Sequence, residues 1–227
     1  MNLTKIITKK LDQKKDEPRA YIGASSIGNP CERAIWYGLH KPEKKIVSAK
    51  QRLTFEIGHR LEVMLIDMMV AAGLLIAAPY VYACREYPMF QGNADAILVD
   101  WTTKPICIIE IKTAKDASFR IFQTKGVRLW YPEYYDQMQS YMGMSGIHSA
   151  TLIAINKDTS DLHDEKIQFD QERYQFLVKK AKRIGESESE PPRINQSPSF
   201  FRCKLCFYQK ECHGINNVSR ETIARES

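Results

Sequence analysis

Apolar residues recur at helical spacing between Ala49 and Ala72, at Leu53, Phe55, Leu61, Met64, Leu65, Met68 and Met69, and predict the longest helix of the chain. Ahead of it, Leu3, Ile6, Ile7 and Leu11 mark a short amphipathic helix within residues 2–15, ended by Pro18. Gly23 to Pro30 reads as a loop, and helical spacing resumes from Cys31 to His40. The period then changes. Leu75 to Tyr87 is rich in β-formers but carries Pro79, which divides it into two pieces. Ala94–Val99 and Ile106–Ile111 are short, dense apolar runs, as buried strands are, joined by a turn at Trp101-Thr102-Thr103-Lys104. Residues 113–131 are expected to be loop or short helix. Pro132 opens a helix reaching about Gly146. Thr151–Asn156 and Glu165–Phe169 read as strands, and Gln171–Ile184 as a helix. Gly185–Ser199, with alternating Glu and Ser and three prolines, reads as a linker to a cysteine cluster, Cys203–Cys212. Helix, strands, helix, strands, helix is the order of an α/β protein with a mixed sheet.

The 227 residues fit one large domain, divided here into an N-terminal segment (21–48), a core (49–185) and a C-terminal cysteine cluster (200–214). With 44% hydrophobic and 26% charged residues the chain is not disordered wholesale. Its longest apolar stretch, Val63–Ala78, is interrupted by Asp67 and Gly73 and is too short to span a bilayer. The lysine-rich N-terminus has no apolar segment behind it, so a soluble cytoplasmic protein is expected. The formal charge of +6 is concentrated in the first 52 residues, as it would be if one face met a polyanion such as nucleic acid. A solvated lysine-rich arm explains the same charge. Six cysteines in a cytoplasmic chain point to metal binding or catalysis before disulfides.

Pairing the two apolar runs as an antiparallel hairpin places Asp95 opposite Glu110. Directly opposed side chains share a face about 4.5–5.5 Å apart, and two carboxylates so placed repel. Their apolar neighbours imply coverage on both faces, where paired carboxylates need a cation or a shared proton. A hard divalent ion, Mg²⁺ or Mn²⁺, satisfies that need. Lys112, two residues after Glu110, lies on the same face. Two carboxylates and an ammonium beside a divalent ion suit phosphodiester hydrolysis by activated water. A structural Glu–Lys pair on a half-exposed strand is the plainer explanation. On the flanking helices, Gly58 and Glu62 share a face, as do Gln137 and Tyr141. The glycine would permit close approach of its helix to the sheet.

Taken in order, Gly58-x-x-x-Glu62, Gly92-x-x-Asp95, Glu110-x-Lys112 and Gln137-x-x-x-Tyr141 resemble the RecB-like branch of the PD-(D/E)xK nucleases. The resemblance implies a restriction-endonuclease-like core: a central mixed sheet flanked by helices, with a divalent-metal site. It implies Glu62, Asp95, Glu110 and the main-chain carbonyl of Ile111 as metal ligands, and Lys112 as the catalytic lysine. Asp95 and Glu110 are thereby catalytic as well, while Gln137 and Tyr141 would shape the site and touch DNA. The CRISPR-associated relatives commonly draw a metal-ligating histidine from the first helix. Here His59 follows Gly58 directly and projects away from it, so Glu62 is preferred and His59 is left behind it.

Cys203-x-x-Cys206-x5-Cys212 needs a fourth ligand to close a metal site, from His213, Cys31, Cys84 or Cys107. Cys84 and Cys107 fall in strands and read as buried small hydrophobes. Spacing alone leaves zinc and iron–sulfur equally open. One cysteine ahead of the nuclease motifs and three behind them resemble the iron–sulfur RecB-like nucleases, among them the CRISPR-associated Cas-four family, the AddB nuclease domain and phage exonucleases. That likeness implies a 4Fe–4S cluster on Cys31, Cys203, Cys206 and Cys212, joining the two ends of the chain, with Zn²⁺ as the alternative. Between Lys112 and Gln137, basic and aromatic residues alternate, Arg120 and Trp130 among them, in a pattern that suits single-stranded nucleic acid. A core segment with a solvated basic edge would look the same. The expected function is a metal-dependent single-strand DNA exonuclease acting on a strand with a free end, in recombination, repair or CRISPR adaptation and with protein partners there. A structure-specific endonuclease and a non-catalytic cysteine-metal DNA-binding module are the alternatives.

Overall fold

The computed structural model describes residues 2–13, 18–77 and 81–215, and the structural statements below concern these. The chain begins with α1 (Leu3–Asp12), β1 (Ile22–Gly23), α2 (Ala24–Ile27) and α3 (Glu32–His40), then a 3₁₀ turn at Pro42–Lys44. Next come α4 (Ala49–Ala71), β2 (Ile76–Ala77), β3 (Val81–Ala83), β4 (Phe90–Asn93), β5 (Ala96–Val99) and β6 (Pro105–Ala114). They are followed by α5 (Asp116–Lys125), α6 (Val127–Trp130), α7 (Pro132–Ser145), β7 (Ser149–Asn156), β8 (Leu162–Gln168), α8 (Gln171–Gly185), α9 (Phe201–Lys204) and α10 (Gln209–His213). The expected break at Pro79 lies outside the described residues.

Local chemistry sets several of these boundaries. Ser48 accepts a hydrogen bond from the backbone N–H of Gln51 while the Gln51 side chain accepts one from the Ser48 N–H, a capping box that starts α4. Pro132 opens α7, and Gly146, at φ 76°, closes it in the left-handed conformation. In the turn between β5 and β6, Asp100 Oδ1 accepts from the backbone N–H of both Thr102 and Lys104.

Five strands form a mixed sheet in the order β2-β5-β6-β7-β8, with β6 and β7 parallel and the other pairs antiparallel. A second sheet, β1-β4-β3, lies in the N-terminal half. The hairpin register is as expected from Ala96 opposite Ile109 to Leu98 opposite Cys107, and then shifts by one residue, so that Val99 faces Pro105. Side chains of β6 alternate between two cores. Ile109 and Ile111 pack with Leu61, Leu65 and Met69 of α4, whereas Ile108 joins the larger core with Met138, Tyr141 and Met142 of α7 and Leu177 of α8.

Some expectations are corrected. Residues 113 and 114 extend β6, and the segment beyond them is helical, forming α5 and α6. The short strands β1 and β4 carry too few apolar residues for periodicity to reveal them. Although α4 has its predicted length, Leu53, Phe55, Met64 and Met68 stay exposed, and only Ala49 and Leu65 are buried. Gly58 is not a close-contact glycine, since a Cβ there would meet only Thr113 Oγ1, at 4.0 Å.

Candidate active site

Asp95, Glu110, Lys112, Gln137 and Tyr141 line one cleft of about 140 Å³, together with Arg19, Tyr21, Gly23, Ala24, Ser25, Gly92 and Asn93. The alternation of β6 turns Glu110 and Lys112 toward α7, and the i, i+4 spacing of α7 returns Gln137 and Tyr141 to them. Glu110 is wholly buried. Its Oε1 accepts from Lys112 Nζ and, at 2.6 Å, from Gln137 Nε2. Gln137 Nε2 also donates to the Tyr141 hydroxyl at 2.7 Å. Asp95 Oδ2 accepts the backbone N–H of Ile111 at 2.7 Å, which fixes the carboxylate at the mouth of the hairpin.

Gly92 is the glycine on which this geometry depends. A Cβ there would lie 2.6 Å from both Ala24 Cβ and Tyr141 Cε1, so only glycine lets α2 and the Tyr141 ring meet over β4.

Electrostatics mark the same spot. Burial pushes the Glu110 carboxyl up to about 8, partly opposed by Lys112 and reinforced by Asp95 and Glu62. Burial likewise raises Asp95, against the pull of Lys112 and the Ile111 N–H. Burial opposes the charge on Lys112, but Glu110 and Asp95 outweigh it and hold the ammonium protonated well above the usual lysine value. Glu62 is raised by burial and by Asp95, which places it within electrostatic reach of the site. It does not line the cleft, and its Oε2 is 3.6 Å from His59 Nδ1.

Two predicted strand-contacting residues sit elsewhere. Trp130 stacks on Phe122, with centroids 4.7 Å apart, meets Tyr134 edge-on at 5.5 Å, and its Nε1 donates to Ser118 Oγ; these three contacts together make it a packing residue. Arg120 pairs with Asp116 one helical turn away on α5 and is not among the cleft residues. Sequence reasoning missed Arg19, Tyr21, Ser25 and Asn93. Arg19 and Tyr21 precede β1, Ser25 lies in α2 and Asn93 ends β4, all on short segments that carry no periodic signal.

Cys31 stands at the start of α3, Cys203 lies in α9, Cys206 between α9 and α10, and Cys212 in α10. Burial raises the Cys203 thiol, with Cys31 and Cys212 adding to it. The Cys206 thiol is raised by burial and by Cys31, Cys212 and Cys203. The other two are apart: Cys84 accepts from the Tyr174 hydroxyl at 3.5 Å, and Cys107 lies 3.3 Å from Thr151 Oγ1. Among the described residues, no three His, Cys, Asp or Glu side chains stand in an arrangement that could hold a metal ion. At the cleft, the Glu110 carboxylate is turned onto Lys112 and Gln137 instead. Its other oxygen, Oε2, is buried without a partner among the described residues, and that orphaned hard donor is what a divalent cation would fit. The cysteine sulfurs are soft donors, but among the described residues they do not stand in a metal-holding arrangement. His213 Nε2, also buried and unpartnered among the described residues, is a further candidate donor beside Cys212.

No protein-family profile matches the sequence, and no curated protein matches it. Solved structures do match. The chain is similar to an alkaline exonuclease (LHK-Exo) from Laribacter hongkongensis, at 16% identity and a TM-score of 0.55, over 78% of this chain and 90% of that one. LHK-Exo in complex with dAMP superposes at 16% identity and a TM-score of 0.54, covering 74% and 87%. The structure of SSO0001 aligns at 18% identity and a TM-score of 0.55, over 92% of this chain and 95% of that one. The shared feature is the fold: a central mixed sheet flanked by helices, of the restriction-endonuclease-like kind.

Proposed function

We propose that the protein is a divalent-metal-dependent deoxyribonuclease, a single-strand exonuclease with its reaction centre at Asp95, Glu110 and Lys112. The observation that carries this reading is the fully buried Glu110, with one oxygen on Lys112 and Gln137 and the other unpartnered among the described residues. A fold shared with an alkaline exonuclease supports it, as does that enzyme's capture of dAMP.

Asp95 and Glu110, which line the cleft, would hold Mg²⁺ or Mn²⁺ with the Ile111 carbonyl, and Glu62, which stands outside the cleft beside His59, would have to turn toward it to join them. Such an ion, when bound, supplies Lewis acidity that activates water and neutralises phosphate charge. The chain's own groups do the rest. Lys112, held protonated by its carboxylate neighbours, places a positive charge where charge develops on the phosphate oxygens. Gln137 fixes the Glu110 carboxylate from α7, and the Ile111 N–H fixes Asp95 from the strand, so neither must reorganise during reaction. Arg19 and Ser25, on the cleft wall, would receive the substrate's phosphates.

At the termini, Cys31, Cys203, Cys206 and Cys212 would hold a 4Fe–4S cluster that ties α3 to α9 and α10. The buried His213 Nε2, unpartnered among the described residues, favours a second reading, a three-cysteine, one-histidine zinc site. The proposal is tested by incubating anaerobically purified protein with end-labelled single- and double-stranded DNA, with and without Mn²⁺. Progressive shortening of the single strand only with the ion is the expected result. No cleavage of either substrate with the ion present overturns it. Internal cuts in a closed circle instead select the endonuclease alternative.

A further inference from the structure

Lys112 begins a ladder of cations and rings that the hydrolytic site does not use up. Its Nζ stands 5.1 Å from the centre of the Tyr134 ring. Tyr134 stacks on Tyr131, with centroids 4.4 Å apart and planes 27° from parallel. Glu133, two residues after Tyr131, accepts from Arg202 at 2.8 Å, and the Arg202 guanidinium sits 5.4 Å over the Phe201 ring. Exposure grows outward: Tyr131 is 44% exposed and Phe201 61%. Among the described residues the Glu133 bond uses only one guanidinium nitrogen of Arg202. Phe201 and Arg202 belong to α9, which also carries Cys203, so the cysteine cluster delivers them beside the start of α7.

We infer that Tyr131, Arg202 and Phe201 form a stacking platform for the unpaired bases of a single DNA strand whose end lies at Glu110 and Lys112. This rests on the nuclease reading above. Exposed rings close to a cation match the repeating chemistry of a single strand, in which every base has a face to stack and every linkage a charge. An apolar protein partner would have no use for the arginine and lysine that punctuate the rings. A duplex keeps its bases stacked inside and presents no faces to the platform.

The test is fluorescence anisotropy of the full chain with labelled oligothymidylate and with a blunt duplex, in EDTA so that binding is read without cleavage. Phe201→Ala and Tyr131→Ala are each expected to weaken single-strand binding about tenfold, with the salt dependence unchanged. Arg202→Ala should flatten the log–log salt slope by about 0.7. Phe201→Trp should retain native affinity, and so should Trp101→Ala, which changes an 87%-exposed residue at the far turn of the hairpin. Duplex affinity should be the same throughout. Alanine variants that bind the single strand as tightly as the native chain overturn the platform, and if the native chain still shortens DNA with Mn²⁺, the nuclease reading stands without it. A native chain that neither binds nor cleaves DNA overturns both.

Discussion

Glu110 concentrates the tension of this molecule in one side chain. A carboxylate without water costs several kcal/mol unless it is compensated, and among the described residues one oxygen has a cation and an amide while the other has nothing. Glu110→Gln replaces a carboxyl that burial pushes up to about 8 with a permanently neutral group of almost the same shape. It is expected to raise Tm in the absence of divalent ions, to abolish the Tm increase that Mn²⁺ gives the native chain, and to reduce cleavage by about 10²-fold or more. Differential scanning fluorimetry beside the cleavage assay reads all three. Lys112→Ala should behave differently: it also stops cleavage but lowers Tm, because it strands the carboxylate, at a cost of up to about 3–5 kcal/mol. Gly92→Ala tests the neighbouring contact. Its methyl would press on Ala24 and the Tyr141 ring, so a loss of about 1–3 kcal/mol in urea unfolding is expected, with weakened activity.

At the level of helices and strands, the cysteines join pieces distant in the chain. Cys31 caps the N-terminus of α3, Cys203 lies in α9 and Cys212 in α10. The α3 helix is held by its buried Ile35, Trp36 and Tyr37, but α9 and α10 are only four and five residues long, so a metal would contribute directly to their docking. Under the cluster reading, anaerobically purified protein should be brown, with about four irons per chain by iron assay. Cys31→Ser should bleach it as fully as Cys206→Ser, while Cys84→Ser, Cys107→Ser and His213→Ala keep the colour. A colourless protein with zinc, sensitive to His213→Ala and indifferent to Cys31→Ser, selects the alternative site.

Across the entire chain, the linker before α9 is moored by ions as well as by packing. Glu190 meets Lys41 at 2.9 Å, Arg33 at 3.3 Å and the Tyr37 hydroxyl at 2.8 Å. Next to it, Trp36 Nε1 donates to the carbonyl of Ser187 at 2.9 Å. Lys41, with Tyr37 and Arg33, holds the Glu190 carboxyl below its usual value. A lowered carboxylate contributes stability that is present above its unfolded pKa and lost as pH falls through the folded one. Acidification below about pH 4 should therefore loosen the linker and shift Trp36 emission before global unfolding, while Glu190→Gln should remove the step. With Glu190 32% exposed, the effect is small, about 1 kcal/mol or less. No helix among the described residues is long and apolar enough to cross a membrane.

What the amino-acid order carries is local and periodic, and it was legible for that reason. The α4 boundaries, the start and stop of α7, and the hairpin that sets Asp95 against Glu110 all follow from spacing, caps and turn residues within a few positions of one another. The α/β class followed from the order of those elements. Contacts between distant segments were decided only in three dimensions. Trp130 belongs to an aromatic run that reads as a strand-stacking surface, yet its ring is held by Phe122, Tyr134 and Ser118 together. Phe201 and Arg202 attracted no notice beside the cysteines, and become interesting only because Arg202 of α9 meets Glu133 at the start of α7. Arg19, Ser25 and Asn93 reach the cleft on or beside two- to four-residue elements, too short to show a period. Periodicity reports which face of an element is covered, whereas the identity of what covers it is set by packing between parts of the chain that no local pattern links.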